Sequence, residues 1–356
     1  MAKPENLDDN NSVILVDGSS YVYRAYHALP PLTTSTGQPT GAVRGVVTMV
    51  MRILQDHPNA PVGMVFDAKG DTFRHEMYED YKANRAAMPD DLIPQIEPIH
   101  EVIKALGIKI FVVEGVEADD VIGTLAAEAE QKGISTIIST GDKDLAQLVT
   151  KNIKLVNTMK NEVLDIKGVE KKFGVKPEQI VDYLALVGDT SDNVPGVPKV
   201  GPKTAAKWLQ TYGSVAILLE NADAVGGKVG ENLRANVEQL LLSQELVTIQ
   251  RMVPLPSNME DWVMTVPNRE VLRQWYQQLE FSTWLAELSA TDNASAATEL
   301  AVSTTYDVVL DQDLFLRWTS YVETNRESLE WQREFKCAGE CLSRLLDSRL
   351  LRGGTT

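Results

Sequence analysis

Cysteine is nearly missing from this chain of 356 residues: there are two, Cys337 and Cys341, both close to the C-terminal end. A pair placed there cannot staple the main body, and a reducing compartment fits. No further Cys or His joins them, so their spacing is read as incidental rather than metal-binding. Histidine is scarce as well. His27, His57, His75 and His100 share no motif, which argues against a Ser-His-Asp triad and a catalytic zinc site. No apolar run is long enough to span a bilayer, and Met1 to Asn10 is too polar and acidic for a secretory signal. There is no internal repeat. A cytoplasmic, nucleoid-associated and monomeric protein is the expectation.

Positive charge is in deficit too, with a net charge of −16. Taken alone this argues against a nucleic-acid partner. Local clustering matters more to a phosphate backbone than the total, and the acids here are concentrated rather than spread.

What is present is acid at the ends of apolar segments. Gly115 to Asp144 carries Glu117, Asp119, Asp120, Asp142 and Asp144. Val121, Ile122, Leu125, Ala126 and Ala129 recur at helical spacing, which puts Asp119 and Asp120 in a first turn. Ile137 and Ile138 form a short buried strand, and Asp142 and Asp144 follow it. Buried strands also read from Ser12 to Asp17, from Val62 to Asp67 and from Lys109 to Val113, with helices between them over 41–54, 93–106 and 117–132. Such alternation predicts an α/β fold with a parallel sheet. In such sheets the ligand site lies beyond the carboxyl ends of the strands, so Asp17, Asp67 and Asp142 converge there. Asp189 and Asp192 complete the acid set. A single Asp of this kind reads better as part of a solvated loop; the whole set suits a hard divalent cation, and two ions could clamp a phosphodiester displacement.

Two basic stretches accompany the acids. Phe73-Arg74-His75 leads to Tyr78, Tyr81, Lys82 and Arg85, cations interleaved with rings, as single-stranded nucleic acid requires. An amphipathic surface helix with Tyr78 and Tyr81 partly buried reads equally well. Arg24, after the first strand, is a further phosphate ligand candidate. The second stretch is Gly196-Val197-Pro-Lys-Val200-Gly201-Pro-Lys203-Thr204. Its glycine turn enters a helix and offers free N–H groups to a phosphate. Pro202 breaks the Walker A pattern, so a helix–hairpin–helix that grips a duplex backbone fits better than a nucleotide site. A plain helix–turn–helix packing element is the alternative. The chain beyond Lys151 shifts from a short hairpin, 153–156 with 163–166, to helices over 203–212, 214–219, 232–250 and 268–279.

With these residues in view, the chain resembles the N-terminal 5′→3′ exonuclease domain of bacterial DNA polymerase I, in the wider flap-endonuclease family. The motifs that carry the resemblance are Leu-Val-Asp17-Gly-Ser-Ser with Arg24, Val-Phe-Asp67-Ala-Lys-Gly, Tyr81-Lys82-x-x-Arg85, Gly-Val-Glu117-Ala-Asp119-Asp120, Ser-Thr-Gly-Asp142-Lys-Asp144, Gly-Asp189-x-Ser-Asp192-Asn and the Gly196–Thr204 turn.

The resemblance implies a PIN-like 5′ nuclease core at 13–185 with a helical arch, and a helix–hairpin–helix α-subdomain at 186–286. It implies a Mg²⁺-dependent 5′→3′ exonuclease and flap endonuclease, with Mn²⁺ as a substitute, that removes RNA primers and displaced 5′ strands. One metal group would be Asp17, Asp67, Glu117, Asp119 and Asp120; the second would be Asp142, Asp144, Asp189 and Asp192. Arg24, Lys82 and Arg85 would steer the scissile phosphate. Tyr81 and Arg74 would meet the strand, with Tyr81 stacking near terminal bases. Gly196, Val197, Val200, Gly201, Lys203 and Thr204 would hold the duplex, where relatives often bind K⁺. A non-catalytic module that binds flaps is the reading from another class.

Residues 1–12 are expected to be disordered, 287–304 to be a linker and 305–324 to open a proofreading-like domain. The stretch 325–356 is an atypical tail, expected to lack a fold of its own and to reflect a truncated or frame-shifted polymerase gene. On that expectation the polymerase domain, normally in the same polypeptide, is missing.

Overall fold

The computed structural model describes residues 11–158, 160, 162–255 and 264–290. Six strands are ordered β3-β2-β1-β4-β5-β6 in one sheet. They are β1 (Ser12–Asp17), β2 (Val62–Asp67), β3 (Lys109–Val113), β4 (Ser135–Ser139), β5 (Ile153–Asn157) and β6 (Glu162–Leu164). All neighbours run parallel except β5 and β6. The chain steps outward from β1 to β3, then crosses back to place β4 on the other side of β1. That reversal opens a crevice at the carboxyl ends of β1 and β4.

The helices of the sheet layer are α1 (Gly18–Ala28), α2 (Gly41–Asp56), α3 (Phe73–Met77), α4 (Ile93–Ala105) and α5 (Ala118–Gln131). The α-rich part follows as α6 (Ile166–Phe173), α7 (Ile180–Val187), α8 (Pro202–Tyr212), α9 (Val215–Glu220), α10 (Gly227–Ala235), α11 (Val237–Val247) and α12 (Arg269–Gln278).

The strands are continuous apolar runs because both faces are covered. Pleating divides each run between two cores. Leu15, Val65 and Ile138 turn toward α5 and its Val121, Ile122 and Leu125. Ile14, Val16, Met64 and Ile137 turn the other way, toward residues of α1, α2, α4 and α12. The first core continues through Leu184, Val197, Leu209 and Leu246 of the α-rich part. The described residues up to Ser289 accordingly make one compact unit, and the boundary expected at 185–186 falls within α7.

Four local features add to or depart from the sequence expectation. The stretch after Asp17 is helix α1, because the Asp17 carboxylate caps it by accepting from the Ser20 N–H at 2.9 Å. The 232–250 helix is two, α10 and α11, broken at Asn236. The expected hairpin is present as β5–β6 and extends the main sheet. The helical arch is not helical: after the single short helix α3, residues 79–84 form turns and 85–89 have no regular structure.

The expected linker begins inside a helical stretch over 282–290, and Ser12 already belongs to β1. The rest of that linker, the 305–324 segment, the tail and Met1–Asn10 lie outside the described residues. Among the described residues no helix is long and apolar enough to cross a membrane.

Candidate active site

Asp17 ends β1, Asp67 ends β2, and Glu117 and Asp119 open α5 just after β3. Asp142 and Asp144 follow β4, so one crevice receives acids from four strand ends. Asp17 is buried, with its Oδ2 accepting from Thr140 Oγ1 at 2.7 Å. Burial, with repulsion from Asp142 and Asp67, outweighs the Ser20 and Thr140 bonds and pushes its pKa up to about 6. Asp67 Oδ1 accepts from the Ala118 N–H at 2.9 Å. Asp119 sits at the centre. Desolvation, then the charges of Asp142, Asp17, Asp67 and Glu117, hold it well above the carboxylate range. The mutual repulsion of these acids follows from their convergence at the strand ends.

A second group adjoins it through Asp142. Asp144 is raised well above its ordinary value by desolvation, Asp142 and Asp189, and its Oδ1 is buried with no hydrogen-bond partner. Asp142 is raised by desolvation and by Asp192 and Asp189. Asp189 moves the other way. Burial would raise it, but Lys143 Nζ at 2.7 Å and the Ser191 hydroxyl and N–H bring it below the usual range. Lys143 was not singled out from sequence; its position between two candidate acids, Asp142 and Asp144, was the available signal.

Asp189 and Asp192 are carried on a tight hairpin. Gly188, at φ +78°, ends α7, and the backbones of Asp189 and Val194 exchange bonds at 2.9 and 2.7 Å. The turn containing Lys82 is stitched to this hairpin. The Lys82 N–H donates to Asp192 O at 2.9 Å, and Asn193 Nδ2 to Asp80 O at 2.7 Å. Lys82 Nζ lies 2.5 Å from Glu117 Oε1, and Arg85 Nη2 lies 2.5 Å from Asp192 Oδ1. Both cations therefore stand at the rim of the acid cleft. Arg24 joins them from α1: its guanidinium fills the space beside Gly141, where a Cβ would collide with it.

Several expected site residues take other roles. Asp120 is fully buried and accepts both Nη groups of Arg74, at 2.6 and 2.8 Å, together with the N–H groups of Glu117 and Gln250. In this arrangement both oxygens of Asp120 are taken up by protein donors, and Arg74 is buried with it. Tyr81 is buried as well. Its hydroxyl donates toward Glu117 Oε2 at 3.1 Å and lies 3.2 Å from Asp192 Oδ2. Burial and those two charges raise its pKa, and the ring is not presented for stacking. Val197 and Val200 are core residues, 3% and 5% exposed. Gly196 packs so closely on Val187 and Gly188 that a Cβ would not fit. Gly201, by contrast, faces open space and caps α8, with Lys203 exposed in the first turn and Thr204 half-buried beside it.

Among the described residues no three acidic, His or Cys side chains already form a cage for a metal. Most of the carboxylate oxygens are engaged by protein donors instead. The chemistry of the set still fits a hard cation: the donors are all oxygen, Asp144 Oδ1 is unpartnered, and Asp17, Asp119, Asp142 and Asp144 resist ionisation without a compensating positive charge.

Residues 12–174 match the family model of the 5'-3' exonuclease N-terminal resolvase-like domain, and residues 175–270 that of the 5'-3' exonuclease C-terminal SAM fold. A DNA polymerase I from Pseudomonas aeruginosa is 49% identical over 324 residues, covering 87% of this chain and 36% of the relative. A 5'-3' exonuclease from Aquifex aeolicus is 43% identical over 277 residues, covering 78% of this chain and 95% of the relative. The chain thus spans about a third of the first polymerase relatives, 36% and 30% of their lengths. Among solved structures, the T5 5'-exonuclease with bound zinc superimposes with a TM-score of 0.57 at 21% identity, over 75% of this chain and 98% of that one. The bacteriophage T5 flap endonuclease in a pseudo-enzyme-product complex with DNA and metal ions gives 0.57 at 18%, over 78% and 99%. At these identities the likeness is one of fold.

Proposed function

The chain belongs to the 5'-3' exonuclease family, and from that premise we propose that it hydrolyses DNA at 5′ ends, nicks and flaps with the help of magnesium. The observation that carries this reading is the mutual destabilisation of Asp17, Asp119, Asp142 and Asp144 at the strand ends. A fold gains nothing from such crowding unless a cation joins it.

Asp17, Asp67, Glu117 and Asp119 would hold one ion and Asp144, Asp189 and Asp192 the other, with Asp142 between them. Bound there, the metal pair would activate water and neutralise charge on the phosphate. The chain's own cations do the remaining work. Lys82 and Arg85 exchange Glu117 and Asp192 for the scissile phosphate, and Lys82 is held for this in a left-handed backbone conformation, φ +56°. Arg24 approaches the same phosphate over Gly141. Gly201, Lys203 and Thr204 receive the duplex backbone at the start of α8. The biological substrates on this reading are RNA primers and displaced strands, released as short 5′-phosphorylated fragments.

The test is a 5′-flap duplex incubated with the purified chain in Mg²⁺ and in EDTA. Cleavage confined to Mg²⁺ is expected. Tight binding with no metal-dependent cleavage would favour a flap-binding module instead.

A further inference from the structure

Thr140 stands between two carboxylate positions and bonds to both. Its hydroxyl donates to Asp17 Oδ2 at 2.7 Å and accepts from the Asp142 backbone N–H at 2.9 Å. Both side chains of the Asp17–Thr140 bond are buried, at 4% and 3% exposure. The sheet register explains the meeting. Val16 lies opposite Ser139, so Asp17 and Thr140 are each one residue beyond the last pair of two parallel neighbours, at the reversal point of the strand order. The Thr140 N–H is itself fixed to Val156 O at 3.1 Å. Ser139, the residue before, bonds the Tyr21 hydroxyl of α1 at 2.7 Å. The end of β4 is therefore fastened on three sides before the acids begin.

Asp17 and Asp142 repel each other across this point. A hydroxyl that donates and accepts at once is the smallest group able to tie one carboxylate to the backbone of the other. We propose that Thr140 is a positioning residue: it sets the separation between the Asp17 carboxylate and the Asp142 loop so that the two carboxylates face one divalent cation. The inference rests on the metal-dependent reading above. Groups of this kind, bonded to ligands rather than to the ion, govern affinity and rate strongly when removed.

The experiment compares the full chain with Thr140→Val, which keeps the shape and loses the hydroxyl, and Thr140→Ser, which keeps the hydroxyl. Mn²⁺ binding is followed without DNA by electron paramagnetic resonance of the free ion, and kcat and KM are measured on a 5′-flap duplex. Thr140→Val is expected to weaken Mn²⁺ binding and lower kcat by about 10–100-fold. KM for the flap should stay within roughly twofold, since duplex contacts are untouched. Thr140→Ser should recover most of both losses.

Wild-type Mn²⁺ binding and turnover in Thr140→Val would overturn the proposal, as would a Thr140→Ser protein no better than Thr140→Val. Should Thr140→Val fail to fold by circular dichroism, Thr140→Ala supplies the same comparison with Thr140→Ser. A wild-type chain that binds no Mn²⁺ removes the metal reading and this inference together. A wild type that binds and cuts, matched by Thr140→Val, removes only the positioning role.

Discussion

Arg74 grips both oxygens of Asp120, Nη1 to Oδ2 at 2.6 Å and Nη2 to Oδ1 at 2.8 Å, with both side chains buried. The same guanidinium donates to Leu246 O and Thr248 O, each at 2.8 Å. One arginine thus joins α3, the first turn of α5 and the end of α11. Burial works against its charge, but the Asp120 bonds and charge outweigh that and raise its pKa.

Arg74→Ala is expected to destabilise the protein by about 3–5 kcal/mol, because it strands a buried carboxylate. Asp120→Asn should also lower the urea midpoint, while the folded protein keeps its Mg²⁺ requirement. Urea titrations with parallel Mg²⁺ titrations check both. An Asp120→Asn protein of wild-type stability that needs far more Mg²⁺ would restore Asp120 as a ligand.

The acid cleft gives stability a definite pH dependence. Asp17 rises from 3.8 to about 6 on folding, which costs the folded state about 3 kcal/mol once it ionises. The cost is absent below the unfolded value and complete above the folded one. Asp119, Asp142 and Asp144 act in the same direction; Asp189, lowered, contributes stability that is lost only as pH falls through its depressed value. In EDTA these acids should therefore make the protein more stable at pH 5 than at pH 7.5, and added Mg²⁺ should stabilise it more at pH 7.5, where protons do not compete. Thermal melts of wild type and Asp119→Asn check this. The variant should lose part of the slope, and an unchanged slope would mean that Asp119 does not sit among ionised neighbours.

Much of this arrangement is visible in the chain itself, and the exceptions have physical reasons. β1, β2 and β4 are short apolar runs with an acid at or just after the exit, and the parallel-sheet rule alone brings those acids together. Helix α1 is obscured because Gly18, Ser19 and Ser20 are turn formers; what makes it a helix is the Asp17 cap and the burial of Tyr21, Val22 and Ala25. The pairing of Arg74 with Asp120 spans 46 residues, and residue type marks one as a phosphate ligand and the other as a metal ligand. Only packing shows that they cancel each other. Tyr81 misleads in the same way, since a tyrosine beside Lys82 suits a base stack as well as it suits a buried hydroxyl.

That ambiguity separates by substitution. Tyr81→Phe keeps the ring and its edge contact with His75 but removes the hydroxyl that Glu117 Oε2 and Asp192 Oδ2 share. It should lower stability by about 1–3 kcal/mol and reduce cleavage, with flap affinity unchanged. Were the ring a stacking platform, Tyr81→Phe would behave as wild type and only Tyr81→Ala would weaken binding. Fluorescence anisotropy on a labelled flap distinguishes the outcomes.

Asp142→Asn tests the acid shared by both groups. Neutralising it removes a charge felt by Asp17, Asp119 and Asp144, so the EDTA-treated protein should melt at a higher temperature than wild type. Cleavage should be abolished and flap binding largely kept. Retained turnover in a single-turnover assay would contradict the ligand assignment.

Lys203 is exposed in the first turn of α8, one residue after Pro202, which supplies no N–H, and two after Gly201, which leaves open space before the helix. A duplex backbone approaching there would meet a point charge that reads no bases. Lys203→Ala should therefore weaken binding to every duplex sequence alike. The slope of log affinity against log salt should flatten by about one, the loss of a single phosphate contact. Lys203 is part of neither the core nor the acid cleft, so single-turnover cleavage at saturating protein should be unchanged. Affinity measured on two unrelated duplexes across a salt series checks the claim. A sequence-dependent loss, or an unchanged salt slope, would place the duplex elsewhere on the protein.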